Sequence, residues 1–387
     1  MKKASLAERL KMSDNIAKKI NEKMEKEIVG RISNSDGIQN KIKHKYIPTP
    51  SINVNEAIGG GFPIGNTTII SGEPDSGKTA YLLETISKNQ KENPDFVALW
   101  LESEASIKSS TLEMFGIDTS RLIFVEHERE GAGEVAIDII ESYLVANIVD
   151  MVVINSLKCL VPSEEFKKDM VSSSVALQAR MNAKMMRKLT SIVQENEVAM
   201  VIVQHLSTQI GAMMRDPLIL SGGKAIVYGA AIILDYRKRS ILDSDPIKKE
   251  EGMKIGVTVR KNHIVTDRYP YVKTQYYIVY GKGTEKYLEV IELAINQGIL
   301  KKSGAFIQMI DENGEVKIIN EEKMQWKGIS KFRQYCIDNE EFFNNLTKMI
   351  QGETINLTEE EIEKYACDDS YDEDEIEDVI AIAKENK

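Results

Sequence analysis

Apolar positions follow two rhythms along the chain. Over residues 1 to about 30, Leu6, Leu10, Ile16, Ile20, Met24 and Ile28 recur at intervals of four or six among Lys and Glu. That spacing predicts an amphipathic helix with one face in want of a partner. A polar stretch, Asn34-Ser35-Asp36-Gly37, leads to Ile47-Pro48-Thr49-Pro50, where the prolines stop any helix. From about 48 to 280, short strand-forming runs take over: Thr67-Thr68-Ile69-Ile70, Phe96-Val97-Ala98-Leu99-Trp100-Leu101, Met151-Val152-Val153-Ile154 and Ala199-Met200-Val201-Ile202-Val203, separated by helix-length segments. Uninterrupted apolar strands alternating with helices predict a parallel sheet covered on both faces. Three later runs, Ala230–Leu234, Ile255–Val259 and Gln275–Val279, lack long helices between them and predict a strand-rich extension. Residues 284–350 predict a small α/β cap, with Leu288, Ile291, Leu293, Ala294 and Ile295 on a helix and a hairpin at Asn313-Gly314. No internal repeat is visible.

At 387 residues the chain has room for one large domain and one or two small appendages. Its three cysteines, Cys159, Cys336 and Cys367, are far apart and support neither a disulfide framework nor a C-x-x-C metal site, which points to a reducing, cytoplasmic setting. The basic start is interrupted by Glu8, Arg9 and Lys11 before an apolar signal could form, and no window reaches membrane-spanning length. The net charge of -10 is unevenly spread: residues 351–387 carry 14 acidic and 3 basic side chains, whereas residues 1–50 carry 12 basic and 6 acidic ones. A neutral body therefore lies between a basic head and an acidic tail, and the tail is either a passive solvated end or a competitor for a DNA-binding groove.

The chemistry is concentrated in Gly72-Glu73-Pro74-Asp75-Ser76-Gly77-Lys78-Thr79, which fits G-x-x-x-x-G-K-[ST] directly after a predicted strand. Glycines at both ends let successive N–H groups turn toward α- and β-phosphates, and the following helix adds its positive end. Lys78 is suited to the β- and γ-phosphates and the Thr79 hydroxyl to Mg²⁺. The expected ligand is a nucleoside triphosphate.

Further segments in the same order resemble the bacterial RecA recombinases and the UvsX-type strand-exchange proteins of phages: Gly59-Gly60-Gly61-Phe62-Pro63-Ile64-Gly65, Leu177–Met181 through Met186–Leu189, Ile210-Gly211-Ala212-Met213-Met214, Ser221-Gly222-Gly223-Lys224-Ala225 and Val259-Arg260-Lys261-Asn262-His263-Ile264. The resemblance covers roughly residues 48–345. It implies an α/β fold with a RecA-type P-loop ATPase core, an N-terminal helix and a small C-terminal α/β cap. The implied segments are 1–46 for oligomerisation and linker, 47–282 for the core, 283–350 for the cap and 351–387 for the acidic tail.

By the same resemblance Glu104 is the carboxylate that polarises the attacking water, and Gln204 senses the γ-phosphate and passes its state to a DNA-binding loop at about 205–220. A second loop lies at about 164–174. Lys261 and His263 reach a neighbour's ATP. The implied DNA contacts are Arg180, Arg187, Ile210, Gly211, Met213, Met214, Gly222, Gly223 and Lys224, a set of amides, cations and thioethers that suits sequence-neutral strand binding. The metal ligands are Thr79 and Asn155. Three departures bear on rate and base preference: Asn155 where the family has aspartate, Thr111 where an aromatic ring stacks on adenine, and His263 where a second lysine stands.

The expectation is an ATP- and Mg²⁺-dependent recombinase that forms a homo-oligomeric helical filament on single-stranded DNA and exchanges strands with duplex DNA, without membrane contact. Single-strand-binding or mediator proteins are candidate partners of the tail. Two rivals stay open: a RecA-fold hexameric helicase or clock-type ATPase, and a non-catalytic mediator that binds ATP and DNA without turnover.

Overall fold

The computed structural model describes residues 6–24, 45–126, 133–165, 175–208, 218–220, 223–241, 247, 251–265, 271–311, 314–319 and 322–350. These fall into two compact units: residues 1–241 with 249–284, and residues 242–248 with 285–387.

The first unit opens with α1 (Leu6–Met24); residues 1–5 and 25–30 of the predicted helix, Ile28 among them, lie outside the described residues. Strand β1 (Tyr46–Ile47), α2 (Ile52–Ile58), β2 (Phe62–Pro63), β3 (Thr67–Gly72) and α3 (Lys78–Glu92) follow. Then come β4 (Ala98–Glu102), α4 (Ser109–Met114), β5 (Leu122–Glu126), α5 (Gly133–Val145), β6 (Met151–Asn155), α6 (Val175–Glu195), β7 (Ala199–Thr208) and β8 (Leu218–Leu220). Helix α7 (Lys224–Gly229) precedes β9 (Ile232–Arg239), β10 (Gly252–Asn262), β11 (Lys273–Val279) and β12 (Gly283–Thr284).

Ten of these strands form one sheet in the order β12-β11-β10-β9-β3-β7-β6-β4-β5, with β8 paired to β7. From β9 to β5 every pairing is parallel; β10, β11 and β12 add on antiparallel, which is the expected strand-rich extension. The central strands β3, β4 and β6 are buried at every residue, as a sheet covered on both faces requires. Alternate residues divide between two cores. Ile70, Trp100, Val153, Val201, Val203 and Leu234 pack with Tyr81, Leu82 and Ile86 of α3. Ile69, Leu101, Ile154, Ile202 and Ile233 pack with Ile137 and Ile140 of α5 and Met185 and Leu189 of α6. The edge strand β5 shows an interrupted burial pattern, as do the antiparallel strands β10 and β11.

In the second unit, α8 (Lys286–Asn296) is followed by β13 (Leu300–Ser303), β14 (Phe306–Met309), the short pair β15 (Ile318–Ile319) and β16 (Glu322–Lys323), and β17 (Gln325–Lys327). Helices α9 (Gly328–Asp338) and α10 (Glu340–Ile350) complete it. Strands β13, β14 and β17 form an antiparallel sheet, and Trp326, Phe332, Tyr335 and Phe342 pack ring against ring beside it. Buried Glu285 pairs with Arg333. Asn313 of the predicted hairpin lies outside the described residues, but Ile310 bridges Val316 across it.

Candidate nucleotide site

Strand β3 ends at Gly72 and α3 begins at Lys78, so residues 73–77 form the whole connection. The two glycines serve it differently. Gly77 caps α3 at φ +76°, and an added Cβ would stand 2.6 Å from Ile278 Cδ1. At Gly72 the obstacle is backbone: a Cβ would meet the Tyr236 carbonyl oxygen of β9 at 2.3 Å. Ser76 Oγ donates to Glu73 O at 2.8 Å and staples the loop.

Lys78 is 5% exposed, and its Nζ donates to Gly72 O at 3.2 Å, Glu73 O at 2.6 Å and Ser76 Oγ at 3.2 Å. Burial pushes its ammonium below the usual lysine range, while the charges of Glu104, Asp75, Glu73 and Asp235 act the other way. A cation thus waits at the loop mouth on weak carbonyl partners that an anion can replace, and half-exposed Thr79 sits one residue further into the helix.

The other strand ends converge here. In register, Gly72 lies opposite His205 and Glu102 opposite Asn155. Successive strand residues point to opposite faces, so Gly72, Glu102, Asn155 and His205 share the side of α3, two residues beyond Ile70, Trp100, Val153 and Val203. Gln204 follows Ile202 onto the opposite side, toward the α5 and α6 layer, and is 1% exposed.

Glu104 lies just past β4. Its backbone N–H donates to Glu102 Oε1 at 2.8 Å, and its Oε1 lies 2.6 Å from His205 Nε2. The loop is fastened to β6 by Ser103 N to Asn155 O at 2.7 Å and Ser103 Oγ to Ser156 O at 2.7 Å. Glu102 is 2% exposed; its Oε2 accepts from Trp100 Nε1 and from Asn155 Nδ2, each at 3.0 Å. Asn155 is fully buried, and its Oδ1 accepts no hydrogen bond among the described residues.

No cluster of three His, Cys, Asp or Glu side chains that could hold a metal occurs among the described residues. The donors present, the Thr79 hydroxyl and the orphaned Asn155 carbonyl, are hard oxygens, and they fit a Mg²⁺ that takes its remaining ligands from phosphates and water. An aspartate at 155 would instead stand against the buried Glu102 carboxylate. The departure from the family at this position therefore comes with a neighbour that favours the amide.

Lys261 and His263 lie on β10 and just beyond it, lining a cavity of about 530 Å³ with Ser71, Tyr228, Asp235 and Arg260. Lys261 Nζ donates to Val227 O and Tyr228 O at 2.8 and 3.2 Å, and burial lowers its pKa. Asp235, 2% exposed, holds Arg260 at 2.6 Å and Arg237 at 2.9 Å. Arg180 and Arg187 are exposed two turns apart on α6, and Lys224 opens α7 beside Gly223, whose φ is +95°. Ile210, Gly211, Met213, Met214 and Gly222 lie outside the described residues, as do most of both expected DNA loops. Thr111 sits half-buried on α4. Sequence reasoning missed His205 as a partner of Glu104; the signal was the strand parity, which puts the residue after Gln204 on the phosphate side.

A family model described as the RecA N-terminal domain matches residues 11–285. Among curated relatives, Protein RecA of Mesoplasma florum is 32% identical over 266 residues, 68% of this chain and 77% of that protein. Protein RecA of Chlorobium limicola is 32% identical over 308 residues, 79% of this chain and 85% of its own length. Protein RecA of Thermotoga maritima is 28% identical over 311 residues, 79% and 82% of the two chains.

Proposed function

Because the chain belongs to the RecA family, we propose that it is an ATP-dependent DNA recombinase that assembles on single-stranded DNA and pairs it with a homologous duplex. The observation that carries the reading is the meeting, on one side of one sheet end, of a built phosphate loop, a buried lysine and a strand-end carboxylate. Ligands of open α/β sheets bind at the carboxyl ends of the strands.

The division of labour follows from chemistry. The loop amides would hold α- and β-phosphate oxygens and Lys78 the β- and γ-phosphates, since amides and an ammonium are donors of the class those oxygens need. Glu104 is a carboxylate of the right class to orient and polarise an attacking water, within reach of the Lys78 charge. Magnesium, when bound, neutralises phosphate charge; Thr79 and Asn155 Oδ1 are the groups that would face its shell. Because Asn155 brings a dipole instead of a full charge, the turnover rate and the Mg²⁺ requirement depend on whether a neighbouring carboxylate, Glu102 or Glu104, supplies the missing charge. Between the sensing candidates, His205 shares the phosphate side and Gln204 faces the α6 layer, so the pair together is suited to relay nucleotide state into the segment that follows β7.

Assembly is the second part of the reading. On α1, Met12, Ile16 and Ile20 are exposed, which leaves an apolar stripe suited to docking on the next copy; head-to-tail contacts of that kind build open helices. Residues 1–46 then serve as the oligomerisation segment, 47–282 as the ATPase core, 283–350 as the cap and 351–387 as the tail. Lys261 and His263, which line a cavity of the core, are the proposed contacts to a neighbour's nucleotide. Arg180, Arg187, Gly223 and Lys224, with Ile210, Gly211, Met213, Met214 and Gly222, are the proposed DNA contacts. No described helix is long and apolar enough to cross a membrane; a cytoplasmic site of action is proposed from the sparse, unpaired cysteines.

The test is an ATPase assay with and without single-stranded DNA, paired with negative-stain imaging. DNA-stimulated hydrolysis with open filaments supports the reading. Closed rings favour the helicase-type ATPase, and binding without turnover favours the mediator.

A further inference from the structure

Glu102 is the most heavily bonded carboxylate at the strand ends, yet it faces no solvent. At 2% exposure it accepts from Trp100 Nε1, Asn155 Nδ2, Glu104 N and, at 3.3 Å, Ser106 Oγ. An ionised carboxylate only accepts hydrogen bonds. The Asn155 amide beside it must therefore turn its NH₂ toward Glu102 and its carbonyl away, and that carbonyl oxygen is one of the buried polar atoms with no hydrogen-bond partner among the described residues. Buried polar atoms are nearly always satisfied, so an orphaned one in a candidate ligand site marks a group waiting for its ligand.

We propose that Glu102 is a positioning residue: it locks the amide of Asn155 so that only Oδ1 faces the divalent-cation shell, and it supplies, one residue pair back, the negative charge that an aspartate at 155 would carry. Residues 102 and 155 then work as one unit of net charge -1. Two carboxylates at 3 Å spacing in a buried pair would repel, so the unit tolerates a charge at either position but not at both. This rests on the nucleotide-site reading above. The same carboxylate holds the Glu104 backbone, so it also sets where the proposed water-orienting acid begins.

The test uses full-length protein: wild type, Asn155→Asp, Glu102→Gln, their double variant, Asn155→Ala, and Asn155→Ala with Glu102→Gln. Two readouts are taken: thermal unfolding without nucleotide, and the affinity for Mn²⁺, as a paramagnetic stand-in for Mg²⁺, in the presence of a non-hydrolysable ATP analogue. Asn155→Asp should lower Tm by roughly 5 °C, and adding Glu102→Gln should recover more than half of that loss. Glu102→Gln alone should weaken Mn²⁺ about tenfold, because an amide at 102 no longer forces the Asn155 carbonyl outward. In the Asn155→Ala background its further effect should be much smaller, limited to the charge it removes.

Additive Tm changes for the Asp/Gln pair would overturn the proposal. So would an unchanged Mn²⁺ affinity in Glu102→Gln, or an equal further loss on top of Asn155→Ala. If wild type fails to bind the analogue, the nucleotide reading fails, while the Tm coupling still decides the charge unit.

Discussion

His205 Nε2 lies 2.6 Å from Glu104 Oε1, although their strands, β7 and β4, are separated in the sheet by β6. The carboxylate proposed to orient water is thus engaged by the residue at the mouth of the segment expected to touch DNA. A lone pair committed to an imidazole is less available to a water.

His205→Ala should therefore raise hydrolysis in the absence of DNA and shrink the ratio of DNA-stimulated to basal rate. Glu104→Gln should lower turnover by about 10²- to 10⁴-fold with nucleotide affinity retained. Steady-state rates with and without single-stranded DNA decide both. A His205→Ala variant slowed equally in both conditions would make the imidazole a support of Glu104 instead of a restraint.

The two loop glycines separate conformation from space. Gly72→Ala should cost about 1–3 kcal/mol, because the clash is with the Tyr236 backbone, which cannot swing aside. Gly77→Ala combines a left-handed φ with contact to a movable Ile278 methyl. Lys78→Ala, in contrast, should leave folding largely intact and abolish ATP binding. Denaturant unfolding and equilibrium nucleotide titration on the three variants test this; unchanged ATP affinity in Lys78→Ala would sink the site assignment.

Glu84 of α3 is half-buried and accepts from Thr284 N and Oγ1, at 3.0 and 2.7 Å. Burial raises its pKa above the usual carboxylate value, with the Thr284 bonds opposing. A raised folded-state pKa stabilises the fold below the ordinary carboxylate range and forfeits that stability as pH climbs through the folded value. Glu84→Gln should thus have a higher Tm than wild type at pH 8, since its Oε1 still accepts from Thr284, and the gap should close as the pH is lowered into the carboxylate range. A constant gap would remove burial as the cause.

The acidic tail offers an electrostatic test. If residues 368–378 compete with DNA, truncation at about Tyr365 should tighten single-stranded DNA binding at low salt, and the gain should fade as salt screens it. Equal affinities at low salt would leave the tail a passive solvated end.

Much of this protein was settled by its sequence alone. Buried strands, the phosphate loop and the helix after it are products of neighbours in the chain, where apolar runs and glycine spacing act over a few residues. Hence Thr67–Gly72, Met151–Asn155 and Ala199–Thr208 form where the runs predict them. Boundaries shifted where tertiary context competed: Ala230 and Ala231 follow the end of α7, and β9 starts only at Ile232. What tertiary structure alone decided is which side chains meet across strands. Gly72 is required by the Tyr236 carbonyl of β9, 164 positions away in the chain, and Asn155 is made acceptable by Glu102, its register partner on β4. The pairing of His205 with Glu104 depends on strand order and on the parity of β7, which also turns Gln204 to the other face. Such relations come from the period of two along a strand and from the order of strands in the sheet, and neither distance is written in the spacing of residues along the chain.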